Sequence, residues 1–184
     1  MTRIVAGAVG GRRLRVPPAG TRPTSDRVRE ALFSVLNARM DFDGVRVLDL
    51  YAGSGALGLE ALSRGASHAL LVESDRKAAA VVRGNIADLG LSGAELRLGS
   101  VGSVLATAPA DRYDLVFSDP PYALSGDEVA ADLSALAGHD WLHPGALIVV
   151  ERATRSPETQ WPADYSAEKP RRYGETRIDI AEFD

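Results

Sequence analysis

The sequence predicts an α/β fold, with a mostly parallel sheet of seven strands and helices on both of its faces. Two patterns support this prediction. From residue 45 onward, apolar runs of strand length alternate with longer segments whose apolar residues recur at helical spacing. The turns between them are short, and an alternating series of this kind requires right-handed crossovers between parallel strands. With 45% hydrophobic residues among 184, the chain can bury the core that such a fold needs.

The N-terminal part of the chain predicts a small hairpin followed by a helix. Two short alternating segments, 3–6 and 13–16, flank a stretch with three glycines, which is typical of a β-hairpin. Thr24, Ser25 and Asp26 are candidate N-caps for the helix. Its apolar residues recur at helical spacing and form one stripe, made of Val28, Ala31, Leu32, Val35 and Leu36.

The rest of the chain supplies the alternating strands and helices. Strands are predicted at 45–50, 68–73, 95–98, 113–118 and 146–151, and helices at about 56–64, 75–89 and 127–137. Two later alternating segments, 169–173 and 176–182, are separated by Gly174 and Glu175 and predict a closing antiparallel hairpin. No linker is long enough to divide the chain into independent domains. We therefore expect an N-terminal hairpin extension over 1–20 and a main domain over 21–184.

Charge is unevenly distributed along the chain. The formal net charge is −4, yet residues 1–30 contain seven arginines and two acidic residues, a local charge of +5 beside −9 for the rest. A basic arm on an acidic body favours a polyanionic partner, because phosphate contacts supply most of the sequence-independent affinity for nucleic acid. The arginines that we expect to contact RNA are Arg3, Arg12, Arg13, Arg15, Arg22 and Arg27.

The composition excludes several kinds of site. Because the chain has no cysteine, it forms no disulfide, thiol nucleophile or thiolate zinc site, and this fits a reducing cytoplasm. No apolar run approaches membrane-spanning length, and the start of the chain is too weakly apolar for a secretion signal. His139 and His143 have a metal-like spacing, but Trp141 and Pro144 beside them indicate a loop before a strand. We expect a cytoplasmic protein without a metal and without membrane contact.

The four residues Asp119 to Tyr122 carry the strongest functional signal. They follow the apolar run 113–118, which predicts an interior strand, so Asp119 falls at the edge of the sheet where α/β proteins bind their ligands. The two prolines lack an N–H and end the sheet, which leaves carbonyls free to accept hydrogen bonds. Asp119 and the carbonyl of Pro120 can accept both hydrogens of an exocyclic NH2 group while Tyr122 stacks on the attached ring. The residues predict a pocket for a planar amine, although they are also ordinary turn residues.

A glycine-rich loop follows the first strand of the main domain. Gly53, Gly55 and Gly58 match the pattern G-x-G-x-x-G, with Ser54 between the first two. Such glycines permit a tight turn and close approach of the backbone to a ligand at the start of a helix. Glu73, at the end of the next strand, can accept hydrogen bonds from ribose hydroxyls. Both a dinucleotide and S-adenosylmethionine are compatible with this pattern.

Asp49, at the end of the strand before the loop, distinguishes between these two ligands. A carboxylate beside the loop repels a pyrophosphate, whereas S-adenosylmethionine carries an ammonium and a sulfonium and has no phosphate. Charge therefore favours the methyl donor. Tyr51, two residues later, either contacts the donor or covers the end of the sheet.

The loop and the amine pocket together resemble the class I methyltransferases, in particular the amino-methylating group with a D/N/S-P-P-Y/F tetrad. Nearly the whole chain is similar to the bacterial 16S rRNA guanine-N2 methyltransferase D family. The segments that carry this closer resemblance are 22–33, which begins Arg-Pro-Thr, 49–55, 119–122 and 173–176, which reads Tyr-Gly-Glu-Thr. The Arg-Pro-Thr segment is the most family-specific of them.

The resemblance implies a Rossmann-like class I methyltransferase fold and methylation of N2 of one guanine in 16S rRNA, in an assembled or assembling small ribosomal subunit. It implies that Asp119, Pro120 and Tyr122 are catalytic. We expect the protein to be a monomer. The residues implied to bind S-adenosylmethionine are Asp49, Tyr51, Gly53, Ser54, Gly55, Glu73, Ser100 and Asp119. Many class I relatives have an acidic residue for the adenine amine where this chain has Ser100; a hydroxyl or backbone contact can substitute there, and adenine recognition by Ser100 stays open.

Several other functions stay open at this point. The tetrad recognises an NH2 group and not its carrier, so adenine N6, cytosine N4 and a glutamine side chain are alternative acceptors. The chain is too short for a sizeable DNA-recognition domain, and the basic arm argues against a free protein substrate. An NAD-dependent oxidoreductase is disfavoured by Asp49 and by the lack of a substrate domain. A non-catalytic RNA-binding module with the same fold is a further alternative.

Overall fold

A mixed β-sheet with helices on both faces forms the main part of the protein. The computed structural model describes residues 2–18 and 24–184. In chain order, the elements are β1 (Thr2–Arg3), β2 (Arg13–Leu14), α1 (Asp26–Asn37), β3 (Arg46–Leu50), α2 (Ala56–Ser63), β4 (His68–Glu73), α3 (Arg76–Leu89), β5 (Ala94–Leu98), α4 (Val101–Leu105), β6 (Tyr113–Ser118), α5 (Gly126–Gly138), β7 (Leu142–Ala153), β8 (Tyr165–Ala167), β9 (Arg171–Tyr173) and β10 (Thr176–Phe183).

The main sheet has the strand order β5-β4-β3-β6-β7-β10-β8, and β9 also pairs with β10. Strands β5, β4, β3, β6 and β7 are parallel, whereas β10 runs antiparallel to β7, β8 and β9. The predicted mostly parallel sheet with a closing antiparallel hairpin is therefore confirmed. The sheet contains eight strands on seven positions, because β8 and β9 pair with different parts of the same edge of β10.

Two short elements and one strand boundary differ from the prediction. Helix α4 has five residues and strand β8 has three, and neither length is enough for a periodic pattern to be read. Strand β7 begins at Leu142, whereas the sequence predicted a loop there and a strand from residue 146. The pairing of β6 with β7 is irregular at this point, since Leu142 lies opposite Tyr113 and regular pairing resumes at Leu147 opposite Leu115.

Each face of the sheet carries its own apolar cluster. Phe33 of α1 and Leu59 of α2 belong to the cluster that contains Phe117 of β6. Leu133 of α5 belongs to the cluster on the opposite face, which contains Val116. Because successive side chains of a strand point to opposite faces, the continuous apolar run of β6 serves both clusters. This explains why the sequence of the strand shows no alternation.

The N-terminal hairpin packs into the first of these clusters. Ile4 and Leu14 are buried there. The buried carboxylate of Glu60 in α2 accepts hydrogen bonds from the backbone amides of Val5 and Ala6, at 2.8 and 3.1 Å. The hairpin is thus held against α2, the helix that follows the glycine-rich loop. The division into an extension over 1–20 and a domain over 21–184 stays a prediction.

The order of strands reverses between β3 and β6. From β3 the chain moves outward to β4 and β5, and it then returns to the other side of β3 to form β6. The carboxyl ends of these parallel strands lie at one edge of the sheet, and open α/β sheets bind ligands in the crevice at such a reversal. The fold therefore brings the loop after β3 next to the turn after β6.

Candidate functional site

A cavity of about 470 Å³ lies at the carboxyl ends of β3, β4 and β6. Eight of the ten residues predicted to be catalytic or to bind the cofactor line this cavity, namely Asp49, Tyr51, Gly53, Ser54, Glu73, Asp119, Pro120 and Tyr122. They come from the glycine-rich loop, the end of β4 and the turn after β6. Motifs that are far apart in the sequence thus surround a single space.

The glycine-rich loop is shaped by close packing at Gly58. A Cβ atom at this position would lie 2.8 Å from Cδ2 of Leu71 and 3.2 Å from the carboxylate of Asp49. The amide of Gly58 instead donates a 2.9 Å hydrogen bond to Oδ2 of Asp49. The third glycine of the pattern therefore lets helix α2 approach the end of β3 and places an N–H on the buried carboxylate.

Glu73 holds the other side of the loop. Its Oε1 accepts a 2.8 Å hydrogen bond from the amide of Gly53, and its Oε2 accepts a 2.9 Å bond from the amide of Asp75. The carboxylate therefore connects the glycine-rich loop to the start of α3. Each carboxylate oxygen has further lone pairs, so the predicted contact with ribose hydroxyls is compatible with these bonds and stays a prediction.

Asp49 is a buried carboxyl group at the end of β3, with 1% of its surface exposed. Burial raises its pKa to about 8, since desolvation opposes the charged form; the Gly58 amide acts in the opposite direction and the charge of Glu73 adds to the rise. A cationic group placed beside Asp49 relieves this cost. The environment of Asp49 therefore favours a ligand with an ammonium group.

Tyr51 follows β3, and its side chain is fixed by a contact with helix α5. Its backbone has a φ of 57°, which is unusual for a residue other than glycine. Its hydroxyl donates a 2.5 Å hydrogen bond to Oδ2 of Asp132 in α5. Burial and this hydrogen bond raise the pKa of Tyr51, so the phenol stays protonated as a donor. The anchored ring lines the cavity.

The turn after β6 presents a carboxyl group, a free carbonyl and an exposed ring. Pro120 is buried, whereas Tyr122 has 56% of its surface exposed at the cavity. The carbonyl of Pro121 accepts a hydrogen bond from the amide of Leu124 at 2.9 Å. Within the described residues the carbonyl of Pro120 has no such partner, so it can accept a hydrogen bond from a ligand. These positions are compatible with a pocket for a planar amine, which stays a prediction.

Two residues at the site were not predicted as functional. Thr24 lines the cavity, and its hydroxyl donates a 2.5 Å hydrogen bond to Oε2 of Glu151 in β7. The sequence suggested Thr24 as one of three N-cap candidates, but the residue that caps α1 is Ser25, whose side chain accepts from the amide of Val28. Thr24 is therefore free for the site. The Arg-Pro-Thr segment was the only sequence signal for it, and Glu151 had none beyond its place near a strand end.

Asp119 lies among several charged groups. Burial raises its pKa well above the ordinary value, and the charges of Glu151 and Asp49 raise it further, whereas hydrogen bonding to Thr24 and the charge of Arg152 act in the opposite direction. Burial likewise raises the pKa of Glu151, which the Thr24 hydrogen bond partly offsets. The buried guanidinium of Arg152 also donates to the carbonyl of Leu124 at 2.8 Å, which holds the segment after the turn.

Two predicted cofactor residues do not line the cavity. Gly55 is buried at the N-terminus of α2, with a φ of 83°, and contributes to the shape of the loop. Ser100 is the N-cap of α4, where its hydroxyl accepts a 3.2 Å hydrogen bond from the amide of Ser103 and donates to the hydroxyl of Ser103. Direct contact of either residue with the cofactor stays a prediction.

The arginines predicted to bind RNA have different surroundings. Arg22 lies outside the described residues, whereas Arg3, Arg12, Arg13, Arg15 and Arg27 are exposed. Of these five, Arg15 forms a 3.0 Å ion pair with Asp88, and Arg12 donates to the carbonyl of the same residue at 2.8 Å. Arg3 faces Asp26 at 3.7 Å. The side chains of Arg13 and Arg27 have no ion pair or hydrogen bond within the described residues.

Arg29 was counted among the seven arginines of the basic arm, but it does not contribute to the surface charge. It is fully buried. Its guanidinium pairs with Glu60 at 3.3 Å and with Asp26 at 2.7 Å, and it also donates to the carbonyl of Arg3. This ion pair network connects α1, α2 and the hairpin. The role of Arg29 is therefore structural.

The polar groups of the cavity fit a cationic ligand better than a phosphate. Three acidic residues, Asp49, Glu73 and Asp119, line it, and no arginine or lysine is present among the described lining residues. A pyrophosphate would find no cationic partner among these residues, and each of them that is ionised would repel it. S-adenosylmethionine has an ammonium, a sulfonium and ribose hydroxyls, and these cationic and hydrogen-bond-donating groups match the acidic lining of the cavity.

In the part of the chain that the structure describes, no cluster of acidic and histidine side chains is placed to hold a metal ion, and no helix is long and apolar enough to span a bilayer.

Comparison with known proteins reveals close relatives over nearly the whole chain. Residues 2–182 match the model of a family described as conserved hypothetical protein 95. The ribosomal RNA small subunit methyltransferase D of Escherichia coli (strain K12) is 40% identical over 174 residues, which cover 94% of this chain and 85% of that protein. The protein of the same name from Haemophilus influenzae is 38% identical over 159 residues, covering 84% and 80%. A solved structure from Escherichia coli, described as a methyltransferase, has a TM-score of 0.87 at 36% identity and covers 100% of this chain and 98% of its own.

Proposed function

The chain belongs to the family of the ribosomal RNA small subunit methyltransferase D proteins, and on this premise we propose that it transfers a methyl group from S-adenosylmethionine to N2 of a guanine in 16S rRNA. Family membership supports methyl transfer to rRNA of the small subunit. The observation that carries the proposal for an amine acceptor is that the Asp49 loop and the Asp119 turn line one cavity. Guanine as the acceptor is supported by the resemblance of the sequence motifs.

The glycine-rich loop provides the donor side of the cavity. S-adenosylmethionine supplies an electrophilic methyl group bonded to a positively charged sulfur. Asp49 pairs with the ammonium of the methionine part, and the backbone from Gly53 to Gly55 follows that part closely. Glu73 accepts from the ribose hydroxyls through lone pairs that its bonds to Gly53 and Asp75 leave free.

The turn after β6 provides the acceptor side. The N2 amine of guanine is a weak nucleophile because its lone pair is delocalised into the ring. Asp119 and the carbonyl of Pro120 accept the two N–H hydrogens and so orient the nitrogen lone pair toward the methyl group. Orientation of this kind lowers a reaction barrier by several kcal/mol, up to about 7–11 in the best cases. Asp119 accepts these hydrogens in its carboxylate form. Because its pKa is raised, we expect the rate to increase with pH as Asp119 loses its proton.

A guanine within folded RNA must leave its stack to reach this turn. Tyr122 compensates for the lost stacking because its ring is 56% exposed at the cavity, and a base stacked on an aromatic ring gains about 1–3 kcal/mol. The hairpin arginines contact backbone phosphates around the flipped base without reading its sequence. Pro17, which follows β2, and Thr24, which precedes α1, both line the cavity. The basic arm therefore adjoins the opening through which the base enters.

The proposal is tested by offering methyl-labelled S-adenosylmethionine with three substrates: naked 16S rRNA, small ribosomal subunits lacking the modification, and DNA. We expect label in rRNA, and N2-methylguanosine as the labelled nucleoside after digestion and chromatography. N6-methyladenosine or N4-methylcytidine would refute the guanine assignment while leaving amine methylation intact. Label in DNA alone, or in no substrate, would contradict methylation of rRNA.

A substitution of Asp119 tests its assigned role directly. Asp119→Ala removes an acceptor of the N–H hydrogens, so we expect methyl transfer to fall by at least about 10²-fold. Binding of S-adenosylhomocysteine, measured by calorimetry, is expected to change little, because the loop that holds it is intact. Full methyl transfer by this variant would exclude Asp119 from the reaction. Glu158→Gln is the matched control, since Glu158 is an exposed carboxylate away from the cavity lining.

A further inference from the structure

The register of the sheet places three carboxyl groups on one face. Val150 of β7 lies opposite Ser118 of β6 in a parallel pair, so the next residues, Glu151 and Asp119, are level with each other. Side chains level with each other on adjacent parallel strands point to the same face. Asp49 of β3 is opposite Phe117, two residues before Asp119, and it therefore points to that face as well.

Thr24 lies beside two of these carboxyl groups. Its hydroxyl donates a 2.5 Å hydrogen bond to Oε2 of Glu151, and it lines the cavity together with Asp119. A hydroxyl has one proton and donates to one partner at a time. While Thr24 donates to Glu151, a second hydrogen bond from Asp119 to the Thr24 oxygen requires a proton on Asp119; if Thr24 donates to Asp119 instead, Glu151 must carry the proton. A hydrogen-bonded chain of the three groups therefore requires the two carboxyls to share one proton.

The surroundings of Asp119 favour such sharing. The charged groups that face it are Glu151 and Arg152 from β7 and Asp49 from β3, with the Thr24 hydroxyl before α1. Two half-buried carboxylates that are level on adjacent strands do not both ionise readily, because their charges repel each other where little water screens them. The pKa values of Asp119 and Glu151 are both raised, which is the direction that proton sharing requires.

We propose that Glu151 and Thr24 are positioning residues for the methyl transfer, forming with Asp119 a hydrogen-bonded chain that holds one proton. In the reactive arrangement Glu151 holds this proton and Asp119 faces the amine as a carboxylate. As the N–C bond forms and the C–S bond of the donor breaks, the amine becomes cationic and its proton passes to Asp119. The chain then holds two protons and returns one to solvent. The catalytic part of this inference rests on the proposed function, whereas proton sharing does not.

The test of proton sharing needs neither RNA nor the methyl donor. The carboxyl groups are titrated by carbon-13 NMR in the full chain, with the Asp119 signal assigned by its loss in Asp119→Asn. Glu151→Gln removes a neighbouring negative charge, so we expect the pKa of Asp119 to fall by about one unit or more. Thr24→Val removes a hydrogen bond that favours the carboxylate, so it is expected to raise the pKa of Asp119. Glu158→Gln, with the same charge change at an exposed position, is expected to leave it unchanged.

Opposite shifts in the two variants support the chain, because a merely structural contact would not move a single pKa in both directions. An unchanged pKa of Asp119 in folded Glu151→Gln would overturn the proposal. If that variant fails to fold, Thr24→Val decides alone, and a pKa equal to that of the unmodified protein overturns the proposal.

The pH profile of kcat/KM for rRNA methylation tests the catalytic part. The acid limb is expected to move to lower pH in Glu151→Gln and to higher pH in Thr24→Val. Lower activity with an unmoved limb in both variants would limit these residues to a structural role and overturn their positioning role. If the unmodified protein methylates no rRNA, the proposed function fails, but the NMR titration still decides whether the proton is shared.

Discussion

At the scale of single residues, the site is controlled by how deeply its carboxyl groups are buried. The types and positions of Asp49 and Asp119 were enough to predict a cationic ligand and an amine acceptor. Their raised pKa values were not predictable, because burial depends on the packing of α1 and α2 over the sheet. The same holds for Glu151, which is ordinary in the sequence and becomes part of the site through its register beside Asp119.

Donor binding is predicted to release a proton from Asp49. Burial raises its pKa to about 8, so this carboxyl is mostly protonated at pH 7 in the free protein. A bound ammonium favours the carboxylate and lowers the pKa, and the proton must then leave. Calorimetry with S-adenosylhomocysteine in buffers of different ionisation enthalpy should show release of about one proton. Affinity is expected to rise with pH and to level off above about 8.

The variant Asp49→Asn checks this prediction. It should bind S-adenosylhomocysteine more weakly and release no proton at that site. Glu158→Gln serves again as the control and should release as many protons as the unmodified protein. Proton release that persists in Asp49→Asn would assign the titration to another group.

At the scale of elements, the hairpin and the donor loop are physically connected. Asn85 of α3 is buried, donates 2.9 Å hydrogen bonds to the carbonyls of Ser54 and Arg15, and accepts from the amide of Arg15 at 2.9 Å. The alternating pattern of residues 3–6 and 13–16 was sufficient to predict the hairpin. It could not show that Glu60 and Asn85 bind it, because these residues are distant in sequence and have no local motif.

Replacing Asn85 should disturb both elements together. Asn85→Ala leaves two carbonyls and one amide without their buried partner, which costs about 1–3 kcal/mol for each unsatisfied group. We expect lower stability in urea unfolding and weaker binding of S-adenosylhomocysteine, because the Ser54 carbonyl belongs to the donor loop. Reduced stability with unchanged donor affinity would show that the loop does not depend on this contact.

Gly7 is predicted to be essential for docking of the hairpin on α2. It has a φ of +88°, and a Cβ atom there would lie 2.0 Å from the carbonyl oxygen of Ser63. Gly7→Ala therefore combines left-handed backbone strain with a clash, and we expect a loss of about 2–5 kcal/mol in urea unfolding. Gly11→Ala is the control, since Gly11 has a φ of +87° and no atom within 4 Å of the Cβ position. This control should lose only about 1–2 kcal/mol, and equal losses in both variants would exclude the clash.

At the scale of the whole molecule, basic and acidic residues occupy different places relative to the cavity. The exposed arginines of the hairpin lie on the segment that leads into the cavity, whereas the interior of the cavity is acidic. Arg3, Arg12, Arg13, Arg15 and Arg27 are exposed as an RNA contact requires, whereas folding removes Arg29 from the surface; the RNA contact itself stays a prediction. Exposed arginines on the segment before an acidic cavity suit a nucleic acid backbone outside and a cationic donor inside.

The role of the arm in RNA binding is predicted to appear in the salt dependence of binding to 16S rRNA. Arg13→Gln removes an exposed side chain without a partner in the described residues, so affinity should fall and the salt slope should decrease by about 0.7–0.9. Arg112→Gln is the control, because Arg112 precedes β6 and so lies at the opposite edge of the sheet from the cavity. An unchanged slope in Arg13→Gln would exclude this arginine from phosphate contact.

The sequence by itself determined the order of the longer strands and helices, the glycine-rich loop, the turn from Asp119 to Tyr122 and the arginine-rich N-terminal segment, because periodicity and turn chemistry are local properties. Only the tertiary structure decided that Thr24 binds Glu151, which is level with Asp119, that Arg29 is buried, and that Gly55 and Ser100 lie outside the cavity lining. These facts depend on strand register and on how the helices cover the sheet. Contacts between residues far apart in the chain leave no local pattern, and the cost of burying a charge exists only once the surrounding core has formed.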